Sequence, residues 1–503
     1  MASQAPHVMA ALSLPPDLVQ LIAVYIPDAS TFFAFLKAFQ STCAGRTTLG
    51  DLHYILDLAV AFHRDSDQSL WPELHLYRAD TSLRPTLQRI VKYYSVIHVH
   101  RIFDLDALHA CIPPGAPITL EGCPAAAALD VPLDSWYTQL SSSFNVTQVV
   151  YDVYPDGLDH MTALLPSLQS LDLTQGEDLL FQRVWANLSP GLALRHLGLG
   201  SFEEPMEISC ASALTLAKWL TLRQDDHQEP LHSLFLRLDI DGNIEDDPWE
   251  VAVDALYNAI LTSACTETLH VANSFLPLLE TCVLAKPIGV PHLAFHGTVL
   301  ETKEESNVLF RALEGSAVVS LAFHGGMLSS VAIDALARAL PHAAHLRSLR
   351  LECPYAIDDF ACSRLSAAVP QTPQIQELGL VGHAISHHGA RYLAELVDAT
   401  PSLRRLHVAS ASLDMMDVQR IVAAARRRQL DEVTMAHLSV SSHDVARLQR
   451  SVADWPTMRC VFARDESSMS NGDETGDETG DGDDTNDWSD DDGTWRRLGY
   501  KAI

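Results

Sequence analysis

The chain has 503 residues, 47% of them apolar and only 19% charged, with a net charge of −30. A field this negative excludes general attraction to nucleic acid or to an anionic membrane surface, and no run of 18 apolar residues is present to span a bilayer. Nine scattered cysteines without a CxxC pair argue against a disulfide framework, and residues 1–14 lack a basic, apolar leader. Together these predict an intracellular protein, cytoplasmic or nuclear, with reduced thiols.

Residues 1–80 read as a helical N-terminal module. The run Leu14-Pro15-Pro16-Asp17-Leu18-Val19 is followed by Ile22 and Ile26, so Leu18, Ile22 and Ile26 stand at helical spacing. Pro15 and Pro16 suit a first helical turn, where a missing N–H costs nothing. Pro27-Asp28 ends this helix, and Asp28 or Ser30 caps the next. Phe32, Phe33, Phe35, Leu36 and Phe39 give that second helix an aromatic face. The stretch resembles an F-box, a short helical module that docks on the Skp1 adaptor of a cullin-based ubiquitin ligase. The resemblance implies a Skp1-like partner and makes Leu14, Pro15, Leu18, Val19, Ile22 and Ile26 the docking residues. Ser30-Thr31 stands where that family often has Asp-Leu, and the family's Trp near the motif's end is absent, the next being Trp71. The alternative is a plain cap shielding the open end of the repeats that follow.

Residues 81–463 are repetitive. Leu293-Ala-Phe-His-Gly297 recurs unchanged as Leu321-Ala-Phe-His-Gly325. The wider pattern, apolar-x-x-apolar-x-apolar, centres on Leu171, Leu197, Leu234, Leu269, Leu293, Leu321, Leu349, Leu378, Leu406 and Val433. From Leu293 the spacings are 28, 28, 29, 28 and 27; before it they are 26, 37, 35 and 24, which places insertions or deletions in the earlier units. Weaker rungs are expected at Ile97/Val99, Ile118/Leu120, Val149/Tyr151 and near Val461. Between strands the period turns helical: Ile333, Leu336, Ala337 and Leu340; Leu393, Leu396 and Val397; Val418, Ile421, Val422 and Ala425.

One strand and one helix per unit of about 28 residues resembles the ribonuclease-inhibitor-like leucine-rich repeat, over residues 95 to 462. That family usually has Asn or Cys three residues after the last strand Leu. Here the position holds Thr298, Gly326, Pro354, His383, Ala411 and Leu438, so the side-chain ladder that fixes those loops is missing. The predicted fold is therefore an α/β leucine-rich-repeat solenoid, with a parallel sheet on the concave face, helices outside, the F-box-like module before it and an acidic tail behind.

Strand residues flanking each central Leu alternate to the concave face. They include Asp172, His196, Phe235, Arg237, His270, His292, His296, His324, Arg350, Glu352, Glu377, Arg405 and His407. Solenoids bind partners on that face, so His270, His292, His296, His324, Arg350, Glu352, Glu377, Arg405 and His407 are the candidate partner-binding residues. If they form the binding patch, acidification should weaken binding as the imidazoles charge.

No phosphate loop, nucleophile elbow, HExxH or kinase signature occurs; Gly45 to Asp51 lacks the phosphate-binding Lys. The chain is expected to be non-catalytic, without cofactor or metal, and a monomer within a complex. Residues 465–492 carry 13 Asp and Glu and no Lys or Arg, so 17 of the 30 net negative charges lie elsewhere. The tail, 464–503, buries too little apolar surface to offset ordering entropy and is predicted disordered. Trp495 to Tyr500 within it is a docking motif, a segment that folds back on the tail, or an unstructured end. Joined to leucine-rich repeats, an N-terminal Leu-Pro helix resembles the substrate-recognition subunits of ubiquitin ligases; a scaffold or inhibitor of the same repeat class is the alternative.

Overall fold

The computed structural model describes residues 15–40, 48–61, 70–78, 81–151, 161, 164–174, 178–188, 192–225, 229–241, 247–272, 284, 286–438, 440–452 and 459–464. Leu14 and the tail beyond Arg464 lie outside the described residues, and with them the expectations placed there. Among the described residues, no helix is long and apolar enough to cross a membrane. Cys265, Cys353 and Cys362 are free thiols.

Among the described residues, fifteen strands pair side by side in one sheet, in chain order. They are β1 (Leu74–Leu76), β2 (Ile97–His100), β3 (Pro117–Glu121), β4 (Asn145–Tyr151), β5 (Ser170–Leu173), β6 (His196–Leu199), β7 (Leu231–Leu236), β8 (Thr266–Ala272), β9 (His292–His296), β10 (Ser320–His324), β11 (Ser348–Glu352), β12 (Glu377–Val381), β13 (Arg405–Ala409), β14 (Glu432–Leu438) and β15 (Arg459–Arg464). Every pairing is parallel, giving a mixed α/β, solenoid-like fold.

The ten central residues read from the repeat are successive register partners, Leu171 opposite Leu197 and so on to Leu406 opposite Val433. Each is exposed by 1% or less. Burying a leucine contributes about 1.5–3 kcal/mol, and no unit could do so alone. The ladder continues through Val149, Leu120, Val99 and Leu76. One expectation needs correction: the sheet starts at Leu74, inside the stretch read as the N-terminal module. The last rung lies where expected, in a strand that contains Val461, with Cys460 opposite Val433.

The wide spacings of the middle units have a visible cause. Two extra short strands, Met206–Ser209 and Leu238–Asp241, pair with each other outside the main sheet, and helices Cys210–Asp225 and Asp247–Thr262 are 16 residues each. The regular units have shorter helices with a repeated start signal. Thr302, Ser329, Asp358, Ser386 and Asp414 each accept an amide N–H of the first turn through the side chain, a cap that contributes about 1 kcal/mol. Neighbouring units are also tied: Asp359 accepts from the backbone N–H groups of Ser386 and Gly389 at 2.8 Å.

The loops after the strands are held without the Asn/Cys ladder. Met327 N–H donates to Thr298 O at 3.0 Å, and His383 N–H to Pro354 O at 2.8 Å. Cys353 Sγ, one residue before the family position, reaches Gly325 O at 3.1 Å. Gly326 has φ +74°, and a Cβ there would lie 2.1 Å from Thr298 O, so only glycine fits this close backbone stacking.

Among the described residues, three α-helices precede the sheet: α1 (Pro16–Val24), α2 (Ala29–Gln40) and α3 (His53–Ala61). They share one continuous apolar core with the strands. Phe32 stacks on Trp71 at 3.9 Å, and Trp71 Nε1–H donates to Ile26 O at 2.6 Å. Asp28 caps α2, accepting from Thr31 N–H at 2.7 Å.

Candidate functional site

One edge of each strand's side chains enters the core; the alternate residues form a polar face. Register decides which of them meet. His296 stands opposite His324 and their rings stack at 4.9 Å. His270 Nδ1 lies 3.1 Å from His296 Nε2, and His324 Nδ1 lies 2.9 Å from Glu352 Oε2. The result is a ladder, His270–His296–His324–Glu352, across β8 to β11.

Phe202 leans edge-on against His296 at 5.1 Å and against Phe235 at 4.8 Å. Arg237 holds this cover in place by donating to the carbonyls of Ser201 and Phe202. Burial, then the neighbouring His324, pushes His296 down to about 3; the same two causes push His270 down to about 4. Glu352 is almost completely buried and engaged by His324. It orients the ladder from within, a correction to its reading as a residue offered to a partner.

The charged candidates form a second group. Glu377 sits between two guanidiniums: Arg350 Nε donates to Oε1 at 2.8 Å and Arg405 Nη2 to Oε2 at 2.8 Å. Burial alone would raise this carboxyl; the hydrogen bonds from Arg405 and Arg350 outweigh it and hold the group below the usual carboxylate range. His407, in the next register position but one from Arg350, is pushed down chiefly by burial. His292 is exposed and joins no ladder. It lines a shallow depression with His324, Arg350, Glu377 and Arg405.

At the N-terminal end, α1 separates its residues sharply. Val19 and Ala23 are fully buried, whereas Leu18, Leu21, Ile22 and Tyr25 are 41%, 52%, 37% and 78% exposed. Val19 therefore packs into the core and cannot serve as a docking contact, a second correction. Pro15 precedes the helix as its N-cap, and Ile26 is half-buried behind it.

A scan of protein-family models and a search of curated proteins find no match to this chain.

A third group was not foreseen. His75 on β1, His98 and His100 on β2 and Glu121 on β3 crowd together beside Glu73. His75 Nδ1 lies 2.9 Å from His100 Nε2. Glu121 takes His98 Nδ1 at 2.7 Å and His100 Nδ1 at 2.8 Å, while His98 Nε2 faces Glu73 Oε2 at 3.2 Å. Burial would raise the Glu121 carboxyl, but hydrogen bonds from His100 and His98 prevail and bring it to about 2. Burial and the neighbouring His98 and His100 push His75 down to about 4. A signal existed: His98 and His100 flank Val99, the centre of a weak rung. Applying strand alternation there puts both on the polar face. His75 had no such signal, because its strand is three residues long.

Proposed function

We propose that this chain is a non-catalytic protein-binding adaptor whose α1 docks on a Skp1-like partner and whose polar sheet face selects a substrate protein. The observation that carries the reading is the outer side of α1. Leu18, Leu21 and Ile22 there, with Tyr25 just past the helix end, meet water while Val19 and Ala23 on the opposite side are fully buried. A helix that only closed a core would turn a polar side outward; an exposed apolar patch beside a polar rim is a surface for a partner. The F-box-like spacing of Leu18 and Ile22 supports the identity of that partner. The ladders and the Arg350–Glu377–Arg405 group give the polar face the varied chemistry a protein ligand requires.

The cap reading has its own support in the Phe32–Trp71 stack and the continuous core. The two readings divide the same helices, since α2, α3 and the inner side of α1 close the core and the outer side of α1 stays free. The test mixes the purified full chain with Skp1. We expect a complex, weakened at least tenfold by Leu18→Asp or Ile22→Asp with melting temperature unchanged. Absence of any complex with the unmodified chain would remove the ligase reading.

A further inference from the structure

We propose that His75 and His100, oriented by Glu121, form a binding site for a zinc-class divalent cation on the polar face of β1 to β3. One ligand atom from each can be chosen so that all lie within 4.8 Å of one another. Zinc bonds of about 2.0–2.1 Å in tetrahedral geometry set ligand atoms about 3.3 Å apart. The 2.9 Å between His75 Nδ1 and His100 Nε2 opens to that spacing by a few tenths of an ångström. Two imidazole nitrogens this close share a single proton, and a cation can replace it.

Hydrogen bonding selects this seat over its neighbour. The trio Glu73–His75–His98 is equally compact, but both nitrogens of His98 already face carboxylate oxygens. His100 differs. Its Nδ1–H donates to Glu121 Oε2, which leaves the Nε2 lone pair aimed at His75. That carboxylate–imidazole arrangement is the one that orients histidine ligands in metal sites. Stacking further fixes the rings: Tyr77 lies on His100 at 4.1 Å and His98 on His75 at 4.2 Å. The central ladder makes a useful contrast. It has three stacked histidines, yet among the described residues it brings no three donors within the same reach. Two imidazoles suit zinc and related first-row cations, and the remaining positions are left for water.

The experiment titrates the full-length chain with zinc against a chromogenic chelator at neutral pH, and with cobalt(II) followed by its visible absorption. We expect one site of micromolar or tighter affinity. His75→Ala and His100→Ala should each weaken it at least tenfold and remove the bands of four-coordinate cobalt, while His98→Ala, which removes a stacking neighbour and not a ligand, weakens it clearly less and keeps the bands. Circular dichroism establishes that each variant is folded, and His100→Gln provides a milder change at the same ligand. Equal affinity in the unmodified chain and the His75→Ala/His100→Ala pair overturns the proposal. So does a loss in His98→Ala that matches the loss in His100→Ala.

Discussion

His270 and His296 do not charge where surface histidines do. Burial and stacked neighbours bring them to about 4 and about 3, against about 6.5 in an unfolded chain. Between those values the unfolded chain binds protons that the folded one refuses. The stability this contributes is complete above pH 6.5 and is lost as pH falls towards 4. For the pair the loss is on the order of a few kcal/mol. Urea midpoints at pH 7 and pH 4.5 should therefore fall less for a His270→Gln/His296→Gln variant than for the unmodified chain. Equal falls would mean that these rings do not carry the effect. The same shift changes an expectation read from sequence, that acid weakens binding at this face by charging its imidazoles. Over the mildly acidic range neither ring charges. What made them unreadable is the cover over them: Phe202 reaches His296 from a loop more than ninety positions away.

The elements that close the sheet's N-terminal end are held by aromatic packing. Phe32 and Leu36 of α2 are fully buried, and Phe32 lies flat on Trp71, whose indole N–H is satisfied by Ile26 O. Removing the Phe32 ring leaves a cavity beside Trp71, and Phe32→Ala should cost about 3–5 kcal/mol in chemical denaturation. Deleting residues 1–45 should lower the melting temperature further. An unchanged melting curve would mean that these helices are a separable module and not part of the core. The aromatic side of α2 was legible from the spacing of its phenylalanines, and the end of α1 from Pro27-Asp28. That α1 buries Val19 and Ala23 while leaving Leu18 and Ile22 outside was not. All four are apolar or small, and a helix apolar on both sides does not declare which side faces the core.

Across the whole molecule each strand meets only its two neighbours, so stability is close to a sum of unit and interface contributions. Excision of Leu321–Ser348, one full period, rejoins Ser320 to Leu349 in the register both strands already share with their neighbours. That chain should fold cooperatively with native-like circular dichroism. Removing one residue fewer shifts the strand by one position, turns core residues to the polar face and should give an unfolded or aggregating product. If both deletions behave alike, units do not stack independently. By itself the sequence determined the strands of the main sheet from Ile97 onward, their order and the register partners of the regular units. It could do so because a period of 28 is a local property, and every leucine needs the next one to leave water. His296 beside His324 follows from the two identical units, but only the tertiary structure decided which polar side chains meet across units of unequal length. His75, His100 and Glu121 come from three units of unequal length, and Phe202 covers the central ladder from an insertion. Distances across strands depend on loops that the period does not describe.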